Sequence, residues 1–152
     1  MALANGAHWL ISEVAAARVS LLTVAGRPGE AAAVGLTLLA RVGGRYSPPK
    51  VVPFLLALGE ALVLAEMFDD LPRVFAKLSR YKTHLESDLA GVRYAVLKAR
   101  LEARRGRTRQ SGRSLEAAAC LAARVRQDFS DQDLVQAFDA MMTNLGLEFQ
   151  KF

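Results

Sequence analysis

The chain has 152 residues, 52% of them hydrophobic but only 7% aromatic, and a formal charge of +5. That length suits one ordinary core, and apolar mass made of Ala, Leu and Val favours helices packed closely through small side chains. The lone Cys120 excludes an internal disulfide framework.

A first helix is expected from about Leu3 to Ala25, stopped by Gly26 with Pro28 just beyond. A second, rich in Ala and Leu, should run from Gly29 to Val42 and end at Gly43-Gly44. Ser47-Pro48-Pro49 offers a capping hydroxyl followed by prolines whose missing N–H groups cost nothing in a first turn, so a third helix should follow to Phe68. Asp69-Asp70-Leu71-Pro72 repeats that device, which predicts a fourth helix from near Leu71, continuing to Arg104 or breaking near Gly91. Arg104 to Arg113 reads as a basic loop, because five arginines without an acid repel one another and have nothing to bury. Ser114 can then cap a fifth helix to about Asp128, and Ser130-Asp131-Gln132-Asp133 a sixth, from Asp131 to near Phe149.

Strand signals are nearly absent, since no stretch alternates apolar and polar residues for long. The expectation is an all-α fold: a single domain, 1–152, forming one bundle of about six helices, with the terminal helix open to exchange between subunits. Within it an apolar half, about 1–68, carries only Glu13, Glu30, Glu60 and Glu66 as acids, while 69–152 is amphipathic and charged. Val74, Leu78, Tyr81, Leu85, Leu89, Val92 and Val96 follow one another at spacings of three and four. The first half is too apolar for a freestanding surface layer, so the second half, another subunit or a lipid surface should cover it.

The apolar N-terminal stretch lacks a basic leader and is interrupted by Glu13 and Arg18, so no signal peptide is expected. Val51 to Phe68 comes closest to a membrane span, but Pro53, Gly59, Glu60 and Glu66 suit a buried bundle helix, or one lying on a membrane surface, better.

Chemistry is hard to assemble. His8, His84 and Cys120 are far apart with no spaced carboxylate partner, so no metal is expected; His84 reads as a surface or interface residue and Cys120 as a small core residue. There is no nucleophile elbow, P-loop, dinucleotide fingerprint or calcium loop, and the pairs Asp69-Asp70 and Asp131/Asp133 fall where helix N-termini want negative charge. The chain is therefore expected to be no enzyme, with no cofactor and no small-molecule substrate.

Surfaces remain. Arg104, Arg105, Arg107, Arg109 and Arg113 suit an RNA phosphate backbone, an acidic protein face or plain solvent. From Lys98 to Arg126 there are nine basic residues against two acids, while Gln127 to Phe152 carries five acids against Lys151. Asp128, Asp131, Asp133 and Asp139 could thus receive the arginines of another copy. The last helix carries an apolar stripe, Leu134, Phe138, Met141, Met142, Leu145 and Phe149, which reads as core or as packing against a neighbour. Asp131, Asp133, Phe138, Met142 and Phe149 are the candidate subunit contacts.

The order of features resembles the nucleocapsid outer-shell proteins of enveloped double-stranded RNA bacteriophages, the cystoviruses. The likeness rests on Leu39-Ala40-Arg41-Val42-Gly43-Gly44-Arg45-Tyr46-Ser47-Pro48, then Pro49 to Leu64, and the closing Asp133 to Phe152. It implies an all-helical subunit tiling a shell around an RNA-filled core, with apolar segments meeting the viral envelope or a host membrane. The leading expectation is a non-enzymatic structural protein that self-assembles through helical surfaces as a virion nucleocapsid or capsid shell subunit. One alternative is a small helical RNA-binding subunit of a ribonucleoprotein complex; another is a helical protein associated with a membrane surface. Outside a virion, the cytoplasm is the expected location.

Overall fold

The computed structural model describes the backbone of residues 2–41, 48–85 and 89–144, and the side chains of 11–41, 51–85 and 89–143. Among these residues the fold is all-α, without strands: α1 (Ala2–Val24), α2 (Pro28–Leu39), α3 (Pro48–Leu64), α4 (Leu71–Leu78), a 3-10 helix (Ser79–His84), α5 (Leu89–Arg104), α6 (Thr108–Gln127) and α7 (Gln132–Asn144). The chain divides into two compact units, Met1–Lys82 and Thr83–Phe152. The change of sequence character at Asp69 falls inside the first unit, because α4 packs on α3.

In the first unit α3 is the axis, touched by α1, α2 and α4. Phe54, Leu55, Leu56, Leu58 and Leu62 are all fully buried, each contributing about 1.5–3 kcal/mol of transfer free energy. Covered by three helices, α3 keeps only a narrow solvent side at Pro53, Glu60 and Leu64, which is why its sequence lacks a broad polar stripe. Its cover comes from its own unit. Gly35 lets α2 approach: a Cβ there would lie 2.5 Å from Leu58 Cδ1. No described helix is long and apolar enough to cross a membrane.

Three helices end in the same way. After α1 the Gly26 N–H donates to the Thr23 carbonyl and the Arg27 N–H to Leu22; after α5, Gly106 donates to Ala103 and Arg107 to Glu102. Both glycines sit at positive φ, +76° and +75°, where a side chain is disfavoured. After α3 the bonds are Glu66 to Val63 and Met67 to Leu62, and the left-handed residue is Glu66, at φ +58°. This turn stops α3 at Leu64, short of the expected Phe68, with no glycine to announce it. α4 starts at Leu71 as expected, but Asp70 makes no side-chain cap bond.

The expected fourth helix is divided. Tyr81 leaves helical geometry within the 3-10 segment, and the Ser79 hydroxyl turns back to donate to the Ala76 carbonyl. Gly91, one of the two expected ends of that helix, lies inside α5 for a packing reason. A Cβ at Gly91 would stand 2.2 Å from the Leu85 carbonyl oxygen and 2.7 Å from Leu121 Cδ2. The second unit is an α5–α6 hairpin with α7 laid against it. Its core is Val92, Val96, Ala118, Ala122, Phe138 and Met142, flanked by Leu121, Val125 and Phe129.

Candidate functional site

The arginine run has a different structure from the loop its charge suggested. Only Arg105, Gly106 and Arg107 lie between helices; Arg104 ends α5, and Thr108 to Arg113 are already α6. Two serines explain the extra turns. Ser111 Oγ donates to the Ala99 carbonyl at 2.9 Å, buried between the helices, and Ser114 Oγ donates to the Glu102 carboxylate at 3.0 Å. Ser114 is therefore a mid-helix staple and not the expected cap. With Ser111, Ala118 and Ala122 turned toward α5, the opposite side of α6 faces solvent. Cys120 falls on that exposed side, not in the core as its apolar neighbours suggested.

Arg104, Arg105, Arg107, Arg109 and Arg113 are all exposed, gathered at one end of the α5–α6 hairpin. The first turn of α6 holds no acid, and Arg107 at its N-cap makes no side-chain cap bond. Arg109 therefore adds positive charge to the positive end of the helix, an arrangement that costs about 0.3–1 kcal/mol per charge until an anion relieves it.

The acidic side is partly consumed within the unit. Asp131 Oδ1 accepts the Asp133 and Leu134 N–H groups at 2.8 and 3.4 Å, capping α7. Arg126 clamps Asp139 with two bonds, Nε to Oδ1 at 2.8 Å and Nη2 to Oδ2 at 3.1 Å. This guanidinium holds the Asp139 carboxyl below its ordinary value, chiefly by the hydrogen bond. Asp133 stays exposed in the first turn of α7.

Phe138 and Met142, expected as core or as subunit contacts, lie in the second unit's own core. Phe138 is 3% exposed and Met142 fully buried, and both pack against α5 and α6 of the same chain. The Phe129 ring lies 5.5 Å from that of Phe138, closing the α6–α7 corner. Phe149 lies outside the described residues.

No three His, Cys, Asp or Glu side chains among the described residues come together as a metal would need. Tyr94, half-buried on α5, has its hydroxyl pushed above its ordinary value by burial and then by the Glu102 charge, so it holds its proton. His84 is exposed.

One surface escaped the sequence reading. On α1, Ser12, Ala15 and Val19 are buried, and the opposite side presents Val14, Leu21 and Val24, which are 57%, 70% and 87% exposed. Ala17 is exposed between them. In the sequence the same spacing of four and three continues back through Leu10, Ala7 and Leu3. That heptad pattern was the available signal, hidden because α1 is apolar on two opposite faces.

No protein-family model, no curated protein and no solved structure matches the chain.

Proposed function

We propose that the protein is a non-enzymatic structural subunit that associates with copies of itself through helical surfaces. The observation that carries this reading is the apolar side of α1, where Val14, Ala17, Leu21 and Val24 are exposed together, because a contiguous apolar patch, unlike a single exposed residue, marks an interaction surface. A shell around a viral nucleocapsid is the specific setting that the cystovirus resemblance adds. Light scattering with negative-stain imaging, in moderate salt with and without RNA, tests it. Assemblies that form without RNA support it, and a protein that stays monomeric at every concentration overturns it. Deleting Ser130 to Phe152 is not a clean alternative, since it would strip Phe138 and Met142 from the second unit's own core.

A second reading, an RNA-binding subunit of a ribonucleoprotein, is favoured by the five exposed arginines around the uncapped start of α6. It expects growth only along RNA, affinity that falls steeply with salt, and loss of most binding when the five become Gln. Unchanged RNA binding in that variant would sink it.

A further inference from the structure

We infer that α1 pairs in parallel with α1 of a second copy of this chain, through Val14, Ala17, Leu21 and Val24, with Glu13 of each copy facing Arg18 of the other. The inference rests on the self-association reading and names its surface, partner and orientation.

The argument begins with registry. The exposed side chains on α1 follow the spacing of a coiled-coil seam, with Val14 and Leu21 at a positions and Ala17 and Val24 at d positions. Ser12, Ala15 and Val19, buried in the first unit, lie on the opposite side, so pairing through the seam leaves the unit's own packing in place. Ala17 removes bulk where the two backbones must approach.

Charge then selects the partner and its direction. Between Ala2 and Val24 the only acidic residue is Glu13 and the only Lys or Arg is Arg18. In the heptad frame set by the seam, Glu13 is a g position and Arg18 the following e position, and both are exposed. In a parallel pair, g of one helix lies beside the following e of the other, so two Glu13–Arg18 pairs form, related by the twofold axis. An antiparallel pair sets g against g and e against e, which offers Glu13 no cation and Arg18 no acid. A lipid surface would accept the apolar stripe but has no use for a matched acid and base at this spacing.

Folding cost also favours the pairing. α1, 23 residues long, is already held on α2 and α3, so association need not supply the ordering of the helix.

The test uses the full chain in sedimentation equilibrium, with helicity and thermal unfolding as controls. Val14→Asp with Leu21→Asp changes only exposed side chains, so the fold should survive while self-association weakens about tenfold or more, the scale of about 1.4 kcal/mol or more. Glu13→Arg should weaken it through like charges, and adding Arg18→Glu should restore it, because the exchanged pair is again complementary. Val14→Cys and, separately, Val24→Cys, each in a Cys120→Ser background, should both oxidise to symmetric disulfides, since a parallel register pairs identical residues along the whole seam and an antiparallel one at a single crossing point.

Association unchanged in the Val14→Asp, Leu21→Asp variant overturns α1 pairing while the self-association reading stands. A wild-type chain that stays monomeric overturns both. Failure of the charge exchange to restore association overturns the parallel register. Binding of the monomer to phosphatidylcholine vesicles, abolished by the double Asp variant, overturns the pairing by giving the stripe to lipid.

Discussion

The first unit hides volume and the second hides a seam. Around α3 the first unit buries large apolar side chains, Phe54 among them, and uses almost no charge to do it. The α5–α6 hairpin of the second unit instead packs the small Ala118 and Ala122 against Val92 and Val96 and fastens the two helices with Ser111 and Ser114. Its charged residues are left outside, on the solvent side of α6 and at the arginine corner. One all-helical chain thus uses two ways of bringing helices together, and each leaves a different surface: an apolar side on α1 and a basic end on the α5–α6 hairpin. The apolar unit has the surface suited to another helix, and the seam-packed unit has the surface suited to an anion.

The largest expected effect tests whether the two units stand apart. Phe54→Ala should cost about 3–5 kcal/mol, the range for deleting a buried aromatic with incomplete collapse of the cavity. Hydrogen exchange should show the loss in α1 to α4, with α5 and α6 still protected. Equal loss of protection in α5 and α6 would mean that the units unfold as one, and would break the comparison.

Next come the two close-packed glycines, where the kind of neighbour decides the outcome. Gly91→Ala places a methyl 2.2 Å from the Leu85 carbonyl oxygen, main chain that cannot swing aside, so about 1–3 kcal/mol of destabilisation is expected in chemical denaturation. Gly35→Ala meets mainly the end of the Leu58 side chain, which can change rotamer, and should cost less. The reverse order would show that the first unit, not the second, has the tighter seam.

These glycines also show why some of the fold was legible and some was not. Gly26 with Pro28 announced a helix end that the structure has, because the residues named the backbone conformation directly. Gly91 carried the same signal for the opposite reason, close packing, which depends on a chain segment folded back from elsewhere. The arginine run reads as a loop because repulsion among its side chains is visible in sequence, whereas the bonds from Ser111 to Ala99 and from Ser114 to Glu102 that extend the helix cross between helices. Phe138 and Met142 lie on a stripe that reads equally as core or as subunit contact; only tertiary structure separates these, since either surface is apolar. The α1 seam stayed hidden because two apolar faces on one helix leave no polar face to define the pattern.

A smaller effect separates the three matching helix ends. Glu66 holds a left-handed conformation that glycine adopts without penalty, so Glu66→Gly should stabilise the chain by about 1 kcal/mol, read as a higher thermal midpoint. Gly106→Ala, at φ +75° with open space around its missing Cβ, should destabilise by about the same amount through backbone strain alone. Destabilisation by Glu66→Gly would mean that the carboxylate has a role worth more than the strain it imposes.

The smallest expected effect is electrostatic and belongs to the second unit. Because Arg126 lowers the Asp139 carboxyl in the folded chain, the clamp's stabilisation is fully present above the unfolded carboxyl pKa of about 3.9 and disappears as pH falls through the lower native value. Both partners are well exposed, so the contribution is slight and shrinks further in high salt. Asp139→Asn should therefore flatten the acid side of the stability profile for α6 and α7 while leaving α1 to α4 unchanged, measured as hydrogen exchange across that pH range. An unaltered acid limb in the variant would assign it to other carboxylates, and would leave the serine staples and the alanine seam as what fixes the second unit.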